Sequence, residues 1–116
     1  MEAVKWETIP VETITQGVER QVLWGDQANL ARLSLAKGTH VSKHAHPAEQ
    51  FTCVLSGALR VDLGGRELRL SAGELIVIPG EVAHEVWALE DTIVWDFFAP
   101  PRHDWKTGRS AYLAGE

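Results

Sequence analysis

The stretch "KGTHVSKHAHPAEQFTCVLSG", residues 37–57, decides how the rest of the chain is read. It sets His44 and His46 two apart, follows them with Gln50, and then runs into hydrophobics. Polar groups leading into a buried strand cost free energy unless a partner satisfies them. Side chains two apart on an extended chain point the same way, so His44 and His46 converge on one face while Ala45 turns away. Pro47-Ala48-Glu49 reads as a bend, after which Gln50 returns to that face and leads Thr52 and Val54 inward.

A second stretch, "GELIVIPGEVAHEVW" (residues 73–87), brings in His84 five residues past Pro79. Pro79 is expected to end one strand and His84 to begin the next. Three imidazoles and an amide oxygen aimed at one point inside a barrel suit a borderline divalent metal. Imidazole accepts Zn, Fe, Ni or Cu, and three or four protein ligands leave positions for substrate or water. Any one of these histidines alone would read as a satisfied polar group. The His-x-His pair, Gln50 and the Gly-Pro-His segment together carry the metal reading. Glu49 is the alternative oxygen ligand, although its parity is opposite to that of the histidines. His40 and His103 fall outside the set and read as surface or loop residues.

Around these stretches lie short β-type segments separated by turn residues: 18–24, 28–36, 50–56, 58–63, 66–71, 74–79, 84–89 and 92–99. Gly64-Gly65 is a two-residue hairpin signal, because glycine tolerates positive φ. Such spacing predicts an all-β, antiparallel sandwich or barrel. The organisation expected is one domain over residues 1–116, with an N-terminal arm (1–17), a β-barrel (18–99) and a C-terminal tail (100–116). Segments 58–63 and 66–71 alternate polar and apolar, which leaves one face wet. "FTCVL", "LIVI" and "IVWDFF" are apolar on both faces and need cover on both sides. A homodimer is the simpler source of that cover, with the five Trp residues helping to fill the contact; the other is the N-terminal arm.

Composition excludes several classes. A net charge of −5 with interspersed acids and bases gives no support to a nucleic-acid or anionic-membrane partner. No apolar run approaches the roughly 18 residues of a membrane span. "MEAVKWETIPVE" lacks a signal-peptide layout. With Cys53 as the one cysteine an internal disulfide is impossible, which fits a cytoplasmic protein. Cys53 itself reads as a buried small hydrophobe.

Gly38-x5-His44-x-His46-x3-Gln50-x6-Gly57 resembles the first motif of the cupin superfamily, and Gly73-x5-Pro79-x4-His84 resembles the second. The first motif usually carries Glu where Gln50 stands. The second usually carries Gly and Asn where Glu81 and Ala88 stand. Over Trp6 to Trp105 the chain is similar to the small single-domain cupins grouped with the pectin-degradation protein of uronate catabolism. That resemblance implies a jelly-roll barrel (a double-stranded β-helix). It also implies one divalent transition-metal ion (Ni, Fe, Mn, Zn or Co) held by His44, His46, Gln50 and His84. The activity implied is conversion of 4,5-unsaturated monouronates to linear ketonised sugars, with Asp96, Phe98 and Arg102 serving the substrate.

The tail residues can also be read on their own. Val94, Asp96 and Phe98 share a face of the last segment, opposite Ile93, Trp95 and Phe97. A lone carboxylate in "TIVWDFFAP" is expensive to bury unless paired or used. Asp96 facing the metal cavity is a candidate general acid or base with a raised pKa. Arg102, after Pro100-Pro101, is placed to fork onto a substrate carboxylate. The plainer reading is an Asp96–Arg102 ion pair at the barrel mouth. The expected function is therefore a metal-dependent enzyme whose partner is a small carboxylated sugar or keto acid. A non-haem metal dioxygenase and a metal-containing binding or sensing module are the alternatives.

Overall fold

The computed structural model describes residues 2–106. After a 3-10 turn (Trp6–Thr8), ten strands follow: β1 (Glu12–Thr15), β2 (Val18–Trp24), β3 (Asn29–Leu35), β4 (His40–His44), β5 (Glu49–Ser56), β6 (Ala58–Leu63), β7 (Arg66–Ser71), β8 (Leu75–Ile78), β9 (His84–Ala88) and β10 (Thr92–Ala99). A single helical turn, α1 (His103–Lys106), follows β10. The strands form two antiparallel sheets, ordered β1-β2-β3-β10-β5-β8 and β4-β9-β6-β7. Because β4 and β5 are adjacent in sequence but lie in different sheets, the chain crosses the sandwich between His44 and Glu49. Pro79 stops β8 and the chain crosses back before His84, so both histidine stretches lie at crossings of the jelly roll.

The eight expected segments all appear as strands. The two unanticipated strands are polar: β1 reads "ETIT" and β4 reads "HVSKH". An edge strand needs main-chain partners more than apolar side chains, and β1 pairs with β2 on the sheet's outer edge. Residues 12–15 of the expected arm therefore belong to the sheet. Of the expected tail, residues 107–116 lie outside the described residues.

Alternation sets the core. In β5, Gln50, Thr52 and Val54 are buried, while Phe51 and Leu55 face out. In β10, Val94 and Phe98 are buried on the Asp96 face, while Trp95 and Phe97 face out. Val18, Leu33, Val54, Leu59, Val61 and Phe98 fill the space between the sheets. The outer face of the larger sheet leaves Phe51, Leu75, Val77, Trp95 and Phe97 exposed in adjoining registers. The N-terminal turn covers part of it: Trp6 lies 6.0 Å from Trp95, and Gln21 Nε2 donates to the carbonyls of Trp6 (2.6 Å) and Ile9 (2.9 Å). Cys53 was expected in the core. It is half-buried on this outer face, because its parity in β5 matches that of Phe51 and Leu55.

Two turn positions test the backbone argument with opposite signs. Gly57, at φ 91, has no room for a side chain: a Cβ would stand 2.4 Å from both the Asp91 carbonyl oxygen and Thr92 Oγ1. Glu81 adopts φ 68 in the crossing between β8 and β9, at the position where the second motif usually has Gly. Gly57→Ala is expected to destabilise the protein by roughly 2–4 kcal/mol. Glu81→Gly is expected to stabilise it by about 0.5–1 kcal/mol, because the left-handed penalty exceeds the chain entropy that glycine adds. Chemical denaturation of the two variants beside the parent checks both signs.

Candidate metal centre

The two crossings meet at the centre of one end of the sandwich. His44 closes β4 and pairs in register with His84, the first residue of β9. His46 sits in the bend between β4 and β5, and Gln50 is the second residue of β5. Close main-chain contact brings the bends together. A Cβ on Gly80 would stand 2.4 Å from the Pro47 carbonyl oxygen, so only glycine permits this approach. Beside it the Glu81 N–H donates to the His46 carbonyl at 2.8 Å. The resulting ring separations are 4.2 Å for His44–His84, 5.0 Å for His46–His84 and 5.7 Å for His44–His46. One nitrogen from each ring lies within 4.8 Å of the others, close enough for a shared metal ion.

Each ring is fixed by the same device. His44 Nδ1 contacts the Ser42 carbonyl (2.8 Å), His46 Nδ1 the Ala48 carbonyl (2.9 Å) and His84 Nδ1 the Val82 carbonyl (2.9 Å). A carbonyl can only accept, so each Nδ1 carries the proton and each Nε2 keeps a lone pair. Such outer contacts orient the imidazoles of metal sites. Burial keeps the rings neutral. It pushes His44 down to about 3 and His84 down to about 4, and it lowers His46 as well. The Arg102 charge adds to the lowering at all three.

Two local conflicts fit a cation. His84 Nε2 is buried without a hydrogen-bond partner. His46 Nε2 stands 2.9 Å from Gln50 Oε1, yet the His46 proton is already committed at Nδ1. Two lone pairs facing each other at that distance repel unless a positive centre joins them.

A hydrogen-bonded chain runs from this centre to the last strand. Gln50 Nε2 donates to Thr52 Oγ1 (2.9 Å), and Thr52 Oγ1 donates to Asp96 Oδ1 (2.6 Å). Burial pushes the Asp96 carboxyl up to about 6, against the opposing pull of Thr52, Gln50 and Arg102. The raised pKa expected for Asp96 is therefore present. His44, His84, Gln50, Thr52 and Asp96 are the polar lining of an interior cavity of about 60 Å³ that is otherwise walled by aliphatic side chains and Trp105. That volume holds a few waters but no sugar ring. On the other side of His46 an outer groove of about 450 Å³ runs past Pro47, Pro101, Arg102 and Asp104.

Arg102 does not pair with Asp96. Its Nε donates to Asp104 Oδ1 (2.9 Å) and its Nη2 to Asp104 Oδ2 (2.7 Å). The guanidinium lies 5.1 Å from the Phe98 ring and 4.8 Å from the Trp105 ring. Trp105 is buried, packs edge-on against Phe98 at 5.0 Å and takes Arg20 on its ring at 4.1 Å. Sequence reasoning missed Trp105, Asp104 and Asn29, whose Oδ1 accepts the Arg102 main-chain N–H at 2.7 Å. Asp104, two residues after Arg102, was open to inspection, but Asn29 lies 73 residues away and carries no local signal. His40 and His103 are exposed, as expected, and His40 is bonded to Glu85.

A cupin-domain profile matches residues 31–95, which include all three histidines. The chain is a cupin. Among solved structures it is similar to an RmlC-like cupin from Shewanella frigidimarina, at 27% identity and TM-score 0.85 over 90% of this chain and 96% of that one. It is also similar to KdgF from Halomonas sp., at 29% identity and TM-score 0.78 over 83% and 90% of the two chains. Bacillus subtilis oxalate decarboxylase, which has Mn(II) centres, shares the fold at 16% identity and TM-score 0.73; the match covers 84% of this chain and 29% of that one. Comparison with curated proteins returns no match. Among the described residues no helix is long and apolar enough to cross a membrane.

Neutral buried imidazoles make the metal-free protein acid-sensitive. The unfolded chain binds protons at histidine below about 6.5, while the folded chain resists doing so until about 4 or 3. The unfolded state thus holds more protons in that window, and stability is lost as pH falls through it. Asp96, raised to about 6, works in the opposite sense but is one group against three. Urea titrations of chelator-treated protein are expected to show a lower midpoint at pH 5 than at pH 7.5.

Proposed function

We propose that this cupin is a metal-dependent enzyme acting on a small carboxylated sugar, by ring opening and ketonisation of 4,5-unsaturated monouronates. The observation that carries the reading is the Gln50–Thr52–Asp96 chain, which links the histidine centre to a carboxyl poised near 6. His44, His46, Gln50 and His84 hold one divalent transition-metal ion in this proposal. When bound, that ion supplies Lewis-acid polarisation of a substrate oxygen. The likeness to KdgF from Halomonas sp. supports the substrate class.

The reaction is an isomerisation. The anomeric hydroxyl loses its proton, and the bond from the anomeric carbon to the ring oxygen breaks to leave an aldehyde and an enolate. C4 of the former C4–C5 double bond then gains a proton as C5 becomes a ketone carbon. One carboxyl can serve both transfers, and Asp96 has the intermediate basicity this requires. Thr52 holds Asp96 in place by donating to Oδ1. Arg102 receives the substrate carboxylate from the groove, and Phe98 supports it with its ring face. The interior cavity is too small for the sugar, so the ring occupies the groove beside His46 and presents its reacting end inward.

The test is the ultraviolet absorbance of the conjugated double bond. Metal-loaded protein is expected to remove it faster than metal-free protein. Asp96→Asn should lower kcat by about 10²–10⁴-fold. Arg102→Lys should act mainly through KM, because ammonium lacks the planar fork. Oxygen consumption with Fe(II) in place of uronate turnover would favour a dioxygenase.

A second copy of the chain is the partner we propose for the exposed Phe51, Val77 and Phe97 face. Sedimentation velocity is expected to give a dimer for the native chain and a monomer for Phe97→Glu.

A further inference from the structure

We propose that Asp104 determines specificity at this site: it is an internal carboxylate seated on the Nε–Nη2 edge of Arg102, and a ligand's carboxylate that takes this edge displaces it. The inference rests on the reading above, in which Arg102 receives that group.

The geometry is that of a bound ligand. Asp104 meets the Nε and Nη2 edge of Arg102 with both oxygens, at 2.9 and 2.7 Å, which is the arrangement a planar carboxylate adopts on a guanidinium. The two partners are unequally exposed. The Arg102 side chain is 3% exposed and that of Asp104 is 35% exposed, so Asp104 is the outer member and the one able to leave. Arg102 is built to stay. Asn29 holds its main-chain N–H at 2.7 Å, and the rings of Phe98 and Trp105 flank its guanidinium.

Both groups line the outer groove that reaches His46. While Asp104 occupies the fork, the pair is close to neutral and gives little attraction to an approaching anion. A neutral sugar gains nothing by displacing a charged carboxylate. A ligand carrying its own carboxylate repeats both hydrogen bonds and adds the contacts of its remaining atoms. Asp104 therefore sets a threshold that a planar carboxylate passes and a neutral ligand does not. Burial pushes its own carboxyl up, but the Arg102 hydrogen bond and charge outweigh this and hold it below the usual carboxylate range.

The test is calorimetric binding of D-glucuronate, a saturated uronate without the reactive double bond, to the full-length metal-loaded protein, with D-glucose as the neutral control. Asp104→Asn is expected to bind glucuronate roughly fivefold more tightly than the native chain, with glucose binding unchanged. In an Arg102→Met background the same substitution should have no effect on glucuronate. Asp104→Ser is the second variant, and thermal melts of both accompany the titrations. Unchanged or weaker glucuronate binding in Asp104→Asn, no binding by either protein, or loss of folding in both variants overturns the proposal. Absence of unsaturated-uronate turnover with the expected binding pattern overturns only the reaction assigned above.

Discussion

Three imidazoles at the end of the sandwich each give the Nδ1 proton to a main-chain carbonyl two residues away, at Ser42, Ala48 and Val82. Those hydrogen bonds constrain everything else the interior can do. They leave the remaining ring nitrogens as acceptors, in surroundings where burial opposes protonation. An acceptor with no donor is costly inside a protein, and His84 Nε2 is in that position. The chain bears this cost because the two crossings are locked to each other by Gly80 against Pro47 and by the Glu81-to-His46 hydrogen bond. The β4–β9 pairing holds His44 beside His84, and this close approach adds His46, which lies in the bend.

The barrel mouth is organised around a different problem, that of placing charge beside aromatic rings. Arg20, Trp105, Arg102 and Phe98 form one packed layer, with Asp104 on its outer side and Asp96 on its inner side. The two carboxyls have opposite environments. Asp96 is raised by burial and tied to Thr52, while Asp104 is lowered by Arg102 and partly wet. Groups driven apart in this way can carry separate tasks, one moving protons and the other answering to anions. The cupin barrel hosts many activities, so the residues at its mouth carry more functional information than its sheets.

Much of the architecture was legible from short-range pattern. Gly64-Gly65 announced the β6–β7 hairpin, and both glycines have positive φ there. Parity placed Gln50, Thr52 and Val54 inside, and Val94 with Phe98 inside. It failed for β1 and β4, which are polar and held by main-chain pairing, and for Cys53, whose apolar neighbours mask an outward position. The ion pair imagined between Asp96 and Arg102 went to Asp104, because parity says nothing about where a long side chain turns after the strand ends.

The amino-acid order by itself determined the strand pattern, the inward set of polar residues and the two histidine stretches, because each depends on spacing along an extended chain of period two. The tertiary structure decided that the two stretches share one centre, that Asn29 fixes the Arg102 turn from 73 residues away, and that Trp105 closes the interior. Those outcomes depend on which strands become neighbours across the sandwich, and contacts between residues far apart in sequence leave no periodic trace in it.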